Sequence, residues 1–122
     1  MILRIVAVVT LIVASMPARA NAGEARVAYS PVQYLKNFAL SVCISDGYAS
    51  KDLVKDSLAA AGAYSELGSL PFEAYENAET LAKQLLTKTY TSKSGEQLTL
   101  MKCIDLFHSK ELDRLARTYV GK

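Results

Sequence analysis

Cys43, Cys103 and His108 are the side chains here best suited to nucleophilic or metal chemistry, being the two thiols and the single imidazole of a 122-residue chain. A thiol and a general base must face one another to work as a pair. Five residues apart on one helix, Cys103 and His108 would lie about 140° apart in projection, so a catalytic pair is not expected. Metal binding fares no better, because these residues lack the closely spaced ligand pairs that zinc sites use; neither a metal nor a cofactor is expected. A disulfide from Cys43 to Cys103 is the simplest use of the thiols, closing a loop worth about 4 kcal/mol in chain entropy. Two buried free thiols are the alternative, and the Cα separation decides between them.

Carboxylates offer a second kind of chemistry. Glu73, Glu76 and Glu79 recur every three residues on one helical face, but Lys83 follows Glu79 by four, the arrangement of a solvated, salt-bridged surface. Gly-rich phosphate loops and a G-x-S-x-G elbow are absent from the sequence. The residues alone describe a helical binding module without an active site of its own.

The elements that position these residues are legible from caps and apolar periodicity. Ser30, Pro31 and Gln33 make a capping box with proline at the first helical position, and Val32, Leu35, Phe38, Ala39 and Val42 then mark an apolar stripe that Gly47 ends. A second helix starts at Ser50, with Asp52 favoured by the dipole of its first turn. Leu53, Val54, Leu58, Ala61 and Leu67 are its expected buried face, and Gly68 its stop. The third begins after Pro71 and carries Phe72, Tyr75, Ala78, Leu81, Leu85 and Leu86 to about Tyr90. The stretch from Thr91 to Glu96 is a polar loop by composition. A fourth helix over 97–108 places Leu98, Met101, Ile104 and Phe107 at a three-residue step. Ser109 caps a fifth, with Leu112, Leu115, Ala116 and Tyr119 inward. Strand alternatives are weak, the best being Leu98 to Met101. The fold expected is all-α, a compact bundle of four to five short helices pinned by one disulfide.

Residues 1–22 read as a cleaved signal peptide and 23–122 as a single helical domain. Arg4 precedes an uncharged apolar run over 5–14, and small residues allow cleavage after Ala20 or Ala22. The run is too short for a membrane anchor. Cleavage takes the 14 basic residues to 12 by removing Arg4 and Arg19, equal to the 12 acidic ones. A neutral chain without a basic cluster excludes a nucleic-acid or anionic-membrane footprint. Export also delivers the two cysteines to an oxidising compartment.

Four stretches resemble, as a set, the fourth group of type VI secretion amidase immunity proteins: Tyr34 to Tyr48 (YLKNFALSVCISDGY), Gly68 to Pro71 (GSLP), Ser94 to Asp105 (SGEQLTLMKCID) and His108 to Leu112 (HSKEL). The resemblance implies a small helical periplasmic protein, a homodimer, that blocks a cognate peptidoglycan amidase and has no catalysis of its own. That amidase would be a papain-like Cys/His enzyme cutting the D-glutamyl to diaminopimelate bond. On this reading the loop Ser92, Lys93, Ser94, Gly95 and Glu96 is the candidate plug for the enzyme's cleft, because small residues and a glycine permit close approach. Glu73, Glu76 and Glu79 form a second candidate surface, toward basic groups on the enzyme's rim. The small residues of the second helix are where two backbones could approach closest. The competing classes are an unrelated secreted helical adaptor or cell-wall hydrolase inhibitor, marked by failure to bind any such amidase, and a small thiol enzyme, marked by a reactive low-pKa cysteine.

Overall fold

The computed structural model describes residues 26–122, so the expected signal peptide lies outside the described residues. Five helices follow one another: α1 (Pro31–Gly47), α2 (Lys51–Leu67), α3 (Phe72–Leu86), α4 (Thr99–Phe107) and α5 (Lys110–Thr118). No strand occurs among the described residues. None of their helices is long and apolar enough to cross a membrane.

The starts are set by the local chemistry read from the sequence. Ser30 accepts from the Gln33 amide at 3.2 Å while the Gln33 side chain accepts from the Ser30 amide at 3.0 Å, completing the capping box. Ser50 and Ser109 cap α2 and α5 in the same way, accepting from the amides of Leu53 and Leu112.

Helix α1 is the hub, packing against all four others, while α3 also meets α4 and α5. Its inward residues Leu35, Ala39 and Cys43 are fully buried. Opposite them α3 presents Ala74, Ala78 and Ala82 at four-residue spacing, also fully buried, and side chains this small let the two backbones come close. Leu106 of α4 and Leu112 and Ala116 of α5 close the core. The polar side chains buried within α1 are satisfied by its own carbonyls, Ser41 bonding Asn37 at 2.8 Å and Ser45 bonding Val42 at 2.9 Å. A disulfide joins Cys43 to Cys103, with Cα atoms 5.6 Å apart, and so fastens α1 to α4. Lys36 of α1 reaches Asp113 of α5 at 2.8 Å and lies 4.8 Å above the Phe107 ring.

Three expectations need correction. Helix α3 stops at Leu86 rather than near Tyr90, since Thr87-Lys88-Thr89 offers no apolar residue to extend its buried stripe. Helix α4 starts at Thr99 and turns Lys102, Cys103 and Leu106 inward, leaving Met101 and Ile104 about half exposed. The disulfide dictates this face, because Cys103 must point at Cys43. On α2 the buried residues are Ser57 and Ala61, with Leu53, Leu58 and Leu67 exposed, because α2 packs on α1 and has at most marginal contact with α3, α4 and α5.

Candidate partner-binding surface

The segment between α3 and α4 is exposed at Thr91 and from Lys93 to Gln97, with Ser92 half-buried, yet it is held at both ends. At its start, the Tyr90 hydroxyl donates to Asp105 of α4 at 2.6 Å, and this bond to a carboxylate pushes the tyrosine pKa up and keeps it a donor. Lys102, only 5% exposed, sends its ammonium to the Leu86 carbonyl at 3.4 Å and lies 5.7 Å from the centre of the Tyr90 ring. A buried cation is thereby met by the C-terminal carbonyls of α3 and an aromatic face, both of which favour positive charge. At the far end Leu98 adopts a left-handed conformation, φ 51°, a strain of about 1–2 kcal/mol for a residue with a branched side chain. Strain of this kind is characteristic of functional segments.

Between these ends the loop bonds to itself. The Ser92 and Ser94 hydroxyls are 2.9 Å apart, the Ser94 amide donates to Ser92 Oγ at 3.2 Å, and the Gly95 amide donates to the Ser92 carbonyl at 3.4 Å. Gly95 has φ +81°, a conformation that glycine adopts without steric cost. Glu96 and Gln97 then border a shallow cavity of about 380 Å³ whose far wall is Tyr48, Leu100 and Met101. Exposed Leu100, Met101 and Ile104 extend this apolar ground along α4.

The three glutamates lie elsewhere. Glu73 sits in the first turn of α3, at the end away from the loop, about 20 Å along a 15-residue helix. Glu79 is bonded to Lys83 at 2.7 Å, which raises the lysine pKa, whereas Glu76 has no salt bridge among the described residues. The structure therefore brings Ser92 through Glu96 together as one compact turn and does not bring Glu73, Glu76 and Glu79 to it. A second cavity, about 520 Å³, opens where α2 gives way to α3, with Glu66, Glu76 and Glu79 on its rim. Glu66 and the exposure of Phe72 were not anticipated, since Phe72 fits the apolar period of α3 and only its position in the first turn hints that it faces outward.

Among the described residues no group of three His, Cys, Asp or Glu side chains is placed to hold a metal ion. Both thiols are consumed in the disulfide, and His108 is an exposed residue at the end of α4. What the surface offers is shape, hydrogen bonding and charge toward another macromolecule.

Comparison with known proteins places these features in a family. Residues 33–116 match the model of Tai4, the type VI secretion system (T6SS) amidase immunity protein. A chain of the effector–immunity system Tae4/Tai4 from Salmonella typhimurium superposes with a TM-score of 0.73 at 34% identity, covering 80% of this chain and 100% of that one. A chain of the Tae4–Tai4 effector–immunity complex from Enterobacter cloacae gives 0.67 at 27% identity, over 73% and 91%. One from a study of type VI-secreted toxins and self-resistance proteins in Serratia marcescens gives 0.65 at 25% identity, over 83% and 90%. No curated protein matches in sequence.

Proposed function

The chain belongs to the type VI secretion system amidase immunity family, Tai4, and from that premise we propose that it is a periplasmic inhibitor that binds a cognate peptidoglycan amidase and occludes its cleft. The observation that carries this reading is the similarity, over the whole length of the matched chain, to a Tae4/Tai4 effector–immunity system. A same-genome toxin delivered by a sister cell would be met in the compartment where it acts, and the disulfide suits that compartment.

Inhibition works through the loop from Ser92 to Glu96. Its residues are small or polar, its turn is already hydrogen-bonded, and its root is fixed to α3 and α4 through Tyr90, Asp105 and Lys102. A segment ordered before contact loses less conformational entropy on binding. Entering the cleft, it excludes substrate from the nucleophile by occupation, without chemistry. Leu100, Met101 and Ile104 supply adjoining apolar area. The family resemblance also implies a homodimer, and the outward small residues of α2 suit one: Ala59 and Gly62 are exposed, and a Cβ at Gly62 would meet nothing within 4 Å.

The test mixes the oxidised mature protein with the type VI amidase of the same genome and follows cleavage of peptidoglycan peptides by mass spectrometry. Stoichiometric loss of cleavage and a stable complex on a sizing column are expected. Ser94→Trp or Glu96→Lys is expected to weaken inhibition at least about tenfold. Unchanged inhibition by both variants would remove the loop from the mechanism, and full cleavage in the presence of the wild-type protein would remove the function.

A further inference from the structure

The geometry points to the cavity between the end of α2 and the start of α3 as a socket for one arginine side chain of the inhibited amidase, an inference that rests on the immunity reading above. Phe72, the first residue of α3, is 77% exposed at this cavity, so its ring is open to a guest. Phe38 and Tyr75 form the inner wall, packed edge to face with ring centres 5.0 Å apart. Aromatic faces carry negative electrostatic potential, which attracts a cation.

The polar groups agree in sign. Glu66 and Glu76 stand on the rim without a salt bridge among the described residues, and Glu79, paired with Lys83, stands beside them. No lysine or arginine lines the cavity. Within the wall, Tyr75 is 5% exposed and its hydroxyl is a buried polar atom without a hydrogen-bond partner. That oxygen packs against Gly68 and has no surface open to the cavity, so the carboxylates and the exposed ring are the groups that meet a guest.

A planar guanidinium satisfies these features together: it stacks on Phe72 and takes the carboxylates through its fork of donors. An ammonium has no plane to stack, a carboxylate would be repelled, and an apolar group would leave two rim charges desolvated and unpaired. The cavity lies at the end of α3 remote from the Ser92–Glu96 loop, so the two contacts grip separate places on the enzyme. One blocks the cleft, and the other fixes the register of the blocker.

Titrating the oxidised protein with the same-genome amidase at low and high salt tests the socket. For Phe72→Ala, Kd is expected to rise at least about tenfold. For the double variant Glu66→Gln/Glu76→Gln, the affinity falls and the loss of affinity with salt becomes shallower than in the wild type. Both sites are on the surface, so melting temperatures should match the wild type; should Phe72→Ala fail to match, Phe72→Leu keeps an apolar side chain, removes the ring and is expected to bind as weakly. Treating the amidase with an arginine-selective dicarbonyl should weaken wild-type binding and add little to the Phe72→Ala loss. Variants that bind as tightly as wild type, with the same salt dependence, overturn the socket and leave the immunity reading standing. A wild-type protein that does not bind overturns both. Lysine acetylation having the dicarbonyl's effect in its place overturns the guanidinium assignment.

Discussion

Gly68 is legible in sequence as the stop of α2, but the structure gives it a second role. It does end α2, as a glycine after an apolar stripe suggests, but its backbone is extended, φ −75° and ψ 156°, and needs no left-handed freedom. Its requirement is space, because a Cβ there would collide with the Tyr75 hydroxyl. Burial of that hydroxyl pushes its pKa up, so it stays neutral. Gly68→Ala should therefore destabilise the protein by about 1–3 kcal/mol. Tyr75→Phe removes the obstacle and the unsatisfied oxygen together, and should be neutral within about 1 kcal/mol. Combined with Tyr75→Phe, the Gly68→Ala substitution should cost less than it does alone, since the two sites are in contact. Urea unfolding of the three variants reads this directly, and additive losses would refute it.

At the scale of elements, caps were legible and faces were less so. Ser30, Ser50 and Ser109 act by local hydrogen bonds that a few neighbouring residues determine. Helix α4 is apolar on several sides, so its period admits more than one buried stripe, and a long-range bond chooses among them. Long-range choices also set the clip between α1 and α5. The hydrogen bond from Lys36 holds the Asp113 carboxyl below the usual carboxylate range, with smaller help from the charges of Lys36, Arg117 and His108 against a desolvation that raises it. A carboxyl lowered on folding adds stability that is fully present above its unfolded value, about pH 3.9, and is lost as pH falls through the lower folded value. Lys36→Met should consequently show a shallower loss of stability below about pH 4 than the wild type. Thermal melts across that range check it; parallel acid limbs would mean the pair contributes nothing.

For the whole molecule, the all-α class and the Cys43–Cys103 bond were legible because few arrangements of two buried thiols in a helical domain of this size compete. The exposed apolar surfaces were not, since the exposure of Phe72, Met101 and Ile104 follows from which helices meet, not from their own periods. The disulfide spans 60 residues of sequence, and both of its cysteines are fully buried. Replacing both cysteines with alanine should cost about 4 kcal/mol and lower Tm on the order of 20 °C. Calorimetry of oxidised wild type and the double variant measures this; a shift of a degree or two would show that packing alone holds α1 to α4.

The placement of α2 carries a further consequence. Since its main packing is on α1, it can lift away with little disturbance of the contacts among α1, α3, α4 and α5, and such an excursion costs less than melting the entire chain. The bridge between Cys43 and Cys103 encloses α2 in a covalent ring, so the departing helix stays on a short leash and returns. Its amide protons should therefore exchange with solvent faster than those of α1 and α3, which native-state hydrogen exchange would read as two units of unequal endurance.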